Sequence, residues 1–392
     1  MCYPHFNGLC AFIIVSFISV MLPTGDACQL SGQLASTSLA ENWVRDQISN
    51  ESTFAEHLNQ NKWKIRWQFM SAYYKARASQ QSVFAKYLDI LGAGEILDFL
   101  EAVHPSCHSQ AHELGAAIFA QLKDVNLALR VCDTRCTSGC MHGIMQAAFR
   151  GATIEDVTRQ MGNFCSGGEM SRTHKPGNCA HGIGHSLMGL SGHDVEASLN
   201  ACSAFAEPAM AYYCATGVFM EDQVTEKTAE RNASARLLAS TNPHFPCDVH
   251  NQFPAACYRY HVARMIQFFR GDRSKVVQAC LALPRSSQLG CLHGYGTAHI
   301  GAIAYNPNVI AKICSHGTSE GQAMCIEGAI EKLADFSEEK AKAACDALDG
   351  ENAVVCDAAA QEKMYRLHKP TMPLYYGQSA HIRKTVHSSR KQ

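Results

Sequence analysis

The chain has 392 residues, 47% of them hydrophobic and 18% charged, and 34 Lys and Arg balance 35 Asp and Glu for a formal net charge of −1. That composition excludes wholesale disorder and is enough for one large core or two ordinary ones. The basic residues form no stripe, which excludes the electrostatic footprint of a nucleic-acid binder, so no nucleic-acid partner is expected.

Residues 9–22 (LCAFIIVSFISVML) are mostly apolar, too short to span a bilayer comfortably, and are followed by the small-residue exit Gly25-Asp26-Ala27. They read as the core of a secretory signal peptide over residues 1–27, although the segment before them has His5 in place of the usual Lys or Arg. Gly25 and Asp26 make a poor lipoprotein box before Cys28. Secretion sets the meaning of the 19 cysteines, because in an oxidising compartment pairing is the default. Cleavage after Ala27 removes Cys2 and Cys10, and of the odd number left Cys28 is the expected unpaired thiol. Asn50-Glu51-Ser52 and Asn232-Ala233-Ser234 are glycosylation sequons that fit the same route. No later segment has 18 consecutive apolar residues, so a soluble mature protein with no stable membrane insertion is expected.

Residues 28–106 carry no cysteine after Cys28 and are rich in helix formers, which predicts a helical lead-in with helices near 82–91 and 95–103. From Cys107 to about residue 364 a repeat takes over. Aligned on one cysteine it reads CMHGIMQ (Cys140), CAHGIGH (Cys179), CATGVFM (Cys214), CYRYHVA (Cys257), CLHGYGT (Cys291), CIEGAIE (Cys325) and a worn CDAAAQE (Cys356), with separations of 39, 35, 43, 34, 34 and 31 residues. A period near 35 with little β-branched alternation predicts helix pairs stacked as a curved solenoid or closed into an α/α toroid. The tetratricopeptide, ankyrin, armadillo and leucine-rich patterns do not supply this cysteine grammar. An upstream cysteine precedes each later anchor, which predicts six local disulfides: Cys165–Cys179, Cys202–Cys214, Cys247–Cys257, Cys280–Cys291, Cys314–Cys325 and Cys345–Cys356. Cys107, Cys132, Cys136 and Cys140 add two more, with three possible pairings. Residues 365–392 hold Arg366, Lys369, Arg383, Lys384, Arg390 and Lys391 and no acid, which predicts a disordered, solvated basic tail.

At about 100° per residue, the positions two and six after each anchor lie about 200° and 240° round from the cysteine and share the opposite face. The position three after, usually Gly (Gly143, Gly182, Gly217, Gly294, Gly328), lies about 60° from the cysteine, where a missing side chain lets the next helix come close. The opposite face carries His142 and Gln146, His181 and His185, Thr216 and Met220, Arg259 and Ala263, His293 and Thr297, Glu327 and Glu331. Equivalent helices would aim these at one cavity rich in imidazole and carboxylate. His181/His185 is an i, i+4 pair able to bite one ion, and His108/His112 is a second; in the latter the order is HxxxHE, not HExxH, so no protease role transfers.

His108, His112, His142, His181, His185 and His293 are therefore the candidate metal ligands, and Arg259, Glu327 and Glu331 the candidate catalytic groups. Each has a plainer alternative. A histidine can cap or pack, Arg259 can form an ion pair with Glu327 or Glu331 in place of clamping an anionic substrate, and the two glutamates can face solvent. Variation of the second position as His, His, Thr, Arg, His, Glu is what a differentiated site looks like, whereas a structural device recurs in every copy. His261 and His299 fall near the seam and are expected to be structural, Met220 to fill core, and Glu221 and Asp222 to be solvated. The expected function is a secreted metal-dependent enzyme with a His-rich cavity, acting on a small substrate. Copper or iron oxidoreductase chemistry is slightly favoured over zinc hydrolysis. The alternatives are a non-catalytic metal, haem or small-ligand binder, and a purely structural scaffold.

Overall fold

The computed structural model describes residues 62–365 apart from 77–78, 105–106, 168–169, 171, 173 and 229–240. The expected signal peptide, Cys28, both sequons, the lead-in before residue 62 and the tail from 366 lie outside the described residues.

Among the described residues the regular structure is all helix. The lead-in supplies α1 (Lys62–Lys75) and α2 (Gln81–Val103). Gly92 kinks α2 (φ 77°), a backbone geometry that suits glycine, so the two helices expected there join end to end. Eight long helices follow, separated by others of equal or shorter length. The long ones are α3 (His108–Leu122), α5 (Arg135–Ala148), α7 (Pro176–Leu190), α9 (Pro208–Thr228), α10 (Pro254–Phe268), α12 (Arg285–Ala298), α15 (Ser319–Phe336) and α17 (Gly350–Glu362). Between them lie α4 (Val125–Val131), α6 (Ile154–Ser166), α8 (Val195–Cys202), α11 (Arg273–Leu281), α13 (Ile300–Tyr305), α14 (Ile310–Ile313) and α16 (Glu338–Cys345).

Helix starts follow local chemistry. Asp124, Thr153, Asp194, Asp272 and Ser337 accept a backbone N–H at the start of α4, α6, α8, α11 and α16, while proline opens α7, α9 and α10. Each long helix packs on the next long one, from α2 through to α17.

The eight disulfides among the described residues fix the shorter segments to this row. All six expected local pairs form, and the remaining four cysteines pair as Cys107–Cys136 and Cys132–Cys140. In α6, α8, α11 and α16 the upstream cysteine stands in the last turn and reaches the anchor in the following long helix.

The glycines let the long helices touch backbone to backbone. A Cβ on Gly143 would overlap the carbonyl oxygen of His112, and one on Gly115 that of Cys140, so α3 and α5 contact reciprocally. Gly217 and Gly184 do the same for His181 and Cys214 between α9 and α7, as do Gly328 and Gly296 for His293 and Cys325 between α15 and α12. The carbonyls of His112, His181 and His293 are thus part of the seam, and their side chains emerge beside it.

Candidate metal centre

Five imidazoles converge where α3, α5 and α7 meet. His108 and His112 come from α3, His142 from α5, and His181 and His185 from α7. Ring centroids lie 4.6 Å apart for His108/His112, 4.8 Å for His181/His185, 5.1 Å for His108/His142, His142/His181 and His112/His185, and 5.4 Å for His142/His185. One nitrogen of each of His108, His142, His181 and His185 lies within 4.8 Å of the others, and all four rings are buried. His112 is half-buried, as is Gln146 beside it.

The partners of the outer nitrogens fix which nitrogen of each ring is bare. His108 Nδ1 is 3.0 Å from the carbonyl oxygen of Cys136, an acceptor only, so Nδ1 carries the proton. His185 Nδ1 donates likewise to a carboxylate oxygen of Glu221 (2.8 Å), and His112 Nδ1 to Gln146 Oε1 (3.1 Å). Thr216 spends its hydroxyl proton on the carbonyl of Tyr213 (2.5 Å), so its oxygen accepts from His181 Nδ1 (2.8 Å). His142 is turned the other way. Its Nε2 donates to Asn178 Oδ1 (2.9 Å), whose amide nitrogen is engaged by Ser138 Oγ, and that leaves Nδ1 bare.

The bare nitrogens therefore face one another. His108 Nε2 and His112 Nε2 are 3.0 Å apart, His181 Nε2 and His185 Nε2 3.1 Å, and His142 Nδ1 lies 3.4 Å from His108 Nε2. Lone pairs opposed at such distances repel unless a proton or a cation lies between them. Burial and then the neighbouring imidazoles push His108, His142 and His181 well below their ordinary pKa, and burial with His185 pushes His112 down to about 3. A proton is thus disfavoured on these four rings. Nitrogens about 3.3 Å apart are what a tetrahedral ion with bonds near 2.0 Å requires.

No family model, no curated protein and no solved structure matches the chain, so the reading of this site rests on its geometry.

The structure separates His293 from the other candidate histidines. It stands with Glu327 and Glu331 in a second buried group, its Nε2 2.9 Å from Glu331 Oε1. Arg259 donates to the same oxygen at 2.6 Å, so its ion-pair alternative is the one the structure contains. Burial alone would lower the pKa of Arg259, but the charge of Glu331 and the phenols of Tyr212 and Tyr260 hold it well above the ordinary value. Tyr365, just after α17, lies between the two groups, its ring centroid 5.1 Å from His181 and its hydroxyl hydrogen-bonded to Tyr260. A third cluster, Glu101 with Cys107 and Cys136, offers no thiolate because the two sulfurs form a disulfide.

Other candidates resolve individually. His261 bonds the Pro243 carbonyl (2.6 Å) and His299 the Tyr295 carbonyl (2.7 Å), both structural uses. Glu221 and Asp222 are not the solvated pair expected: Asp222 is buried, and Glu221 reaches from α9 to orient His185. Its position seven after Cys214 turns it toward α7, a relation that only the helix pairing reveals. The HxxxH pairs and their anchors were readable in the sequence, whereas Asn178, Ser138 and Tyr365 carried no spacing signal.

Proposed function

We propose that the protein is a secreted metal-dependent enzyme that holds one transition-metal ion on His108, His142, His181 and His185, with His112 at the solvent side of the centre. The observation that carries this reading is the set of inward-facing nitrogens, each ring held by an outer hydrogen bond as ligating histidines are. Eight disulfides and the apolar N-terminal run support an oxidising, extracellular setting.

An all-imidazole donor set with carboxylate only in the outer layer suits copper or iron somewhat better than zinc, which supports an oxygen-using oxidoreductase ahead of a zinc hydrolase. Such an ion would supply redox chemistry or Lewis acidity at a buried point. The chain's own residues do the rest: Cys136, Thr216, Asn178, Glu221 and Gln146 hold the rings in one tautomer. Half-buried His112 and Gln146, with the Glu221 carboxylate, mark the side from which a small molecule approaches. Glu327 and Glu331, the acids of the second buried group, would move protons. The charge of Arg259 is taken by Glu331, so this reading does not require an anionic substrate.

The same site favours a second reading, a closed metal store, because five nitrogens suffice to fill a coordination shell. Azide titrated into the copper-loaded protein separates the two. A shift in the visible spectrum indicates an open position and supports the enzyme, whereas an unchanged spectrum supports storage.

We also read the helix pairs as repeats closed into a toroid. Lys332 in α15 donates to Thr137 Oγ1 at the start of α5 (2.8 Å), and Lys175 before α7 donates to the Met364 carbonyl (3.0 Å), so late and early segments touch.

A further inference from the structure

Helix α1 exposes a row of aromatic side chains that the metal centre does not use. Trp63, Trp67, Met70 and Tyr74 are 71%, 66%, 39% and 60% exposed. Their spacing of four, three and four residues places them within about 60° of arc on one face. The other face is already used, since Phe69 and Tyr73 are buried against Phe84 and Phe99 of α2. The row is therefore a second apolar face, separate from the one that attaches the helix. Exposed tryptophans in a row are unusual on a protein that meets only water.

The flanks identify what the face fits. The helix sequence KWKIRWQFMSAYYK contains four basic residues and no acid. Lys64 and Lys75 are exposed at the edge of the row, and Arg66 is paired with Glu95 at 3.1 Å. Trp and Tyr rimmed by lysine is the composition of a helix lying in the headgroup region of a bilayer, where the rings sit at the apolar–polar boundary and lysine meets anionic lipid. Cores of protein–protein interfaces are also rich in aromatics but poor in lysine. We propose that α1 is a peripheral docking surface for an anionic lipid membrane, laid flat and spanning nothing. No described helix is long and apolar enough to cross a membrane, and the inference is independent of the metal reading.

The chain has three tryptophans, Trp43, Trp63 and Trp67, so Trp43→Phe confines the emission to the row. The experiment uses the secreted, N-terminally processed protein carrying that change, titrated with vesicles of phosphatidylcholine alone or mixed with phosphatidylserine. The expected result is a blue shift and co-sedimentation with the mixed vesicles, weakened by salt. Removing the row's aromatics in Trp63→Ala/Trp67→Ala/Tyr74→Ala, read by sedimentation, weakens binding by about tenfold or more. In Lys64→Glu/Lys75→Glu, each reversal weakens it by about fivefold or more. Circular dichroism matching the parent confirms that the variants fold.

Four outcomes overturn the proposal. The first is no blue shift with either vesicle, and the second is equal binding to both. The third is emission already blue-shifted without lipid, which would mean that the chain itself covers the row. The fourth is self-association that the triple variant abolishes, which would assign the face to a second copy.

Discussion

At the residue scale the decisive feature is an outer hydrogen bond on every inward histidine. Thr216→Val removes the acceptor for His181 Nδ1 and Asn178→Ala removes the side-chain acceptor for His142 Nε2, without touching any proposed ligand. Each is expected to lower metal affinity about 10- to 100-fold, measured by competition with a chelator, while helix content is unchanged. Unaltered affinity in both would mean that these bonds do not prepare a metal site.

Protonation gives a second residue-scale prediction, for the metal-free protein. Burial pushes His174 and His261 down to about 4 and His112 to about 3, and His108, His142 and His181 lie well below their ordinary value. In the unfolded chain these groups take up protons near pH 6.5, while the folded chain resists them, so acid favours unfolding. Stability is thus fully present above about pH 7 and falls as pH drops below 6.5, by up to about 1.4 kcal/mol per histidine per pH unit. Urea midpoints measured from pH 7.5 to 5 check the sign, and a flat profile would contradict it.

At the element scale the glycine contacts and the disulfides carry the stability. Gly143→Ala, Gly217→Ala and Gly328→Ala each put a methyl group into a neighbouring carbonyl, and each is expected to cost on the order of 3 kcal/mol by denaturant unfolding. Gly189→Ala, with open space around its Cβ and a helical position, is expected to be neutral or slightly stabilising. Replacing Cys345 and Cys356, eleven residues apart, by alanine is expected to cost about 3 kcal/mol through the freed loop.

Arg259→Ala leaves buried Glu331 without its guanidinium partner and is expected to cost on the order of 3 kcal/mol. Arg259→Ala/Glu331→Ala is expected to recover part of that. A double variant no more stable than the single one would mean that the pair is not what stabilises Glu331.

Much at this scale was legible in the sequence. The cysteine grammar specified six of the eight disulfides among the described residues, and the helical period put glycine on the seam, whereas the histidine side chains emerge beside that seam and not opposite it. The pairing of Cys107, Cys132, Cys136 and Cys140 was not legible, because closely spaced cysteines allow several closures. In the structure Cys136, Thr137 and Ser138 adopt positive φ (51°, 54°, 58°), a turn that side-chain periodicity does not encode. That turn also places the Cys136 carbonyl on His108 and Ser138 on Asn178.

At the scale of the whole molecule the sequence predicts one cavity, whereas among the described residues the candidate side chains fall into two buried groups. Equivalent repeats would aim the same positions at one point, but His293 on α12 pairs with Glu331 on α15 instead of joining the other histidines. Period alone does not say which helices are neighbours in space. If the toroid reading holds, the Lys332–Thr137 and Lys175–Met364 contacts make the array unfold as one unit. Lys332→Met/Lys175→Met is then expected to raise hydrogen exchange in α5 and α17 together, and an effect confined to one end would favour an open stack.

The measurement closest to the central claim is elemental analysis of the protein, purified without chelator or His tag, beside His181→Ala/His185→Ala. The account predicts about one equivalent of copper, iron or zinc in the parent, lost in a variant that keeps its helix content. A correctly folded parent that binds none of the three after reconstitution, or a variant that keeps the full equivalent, would contradict it.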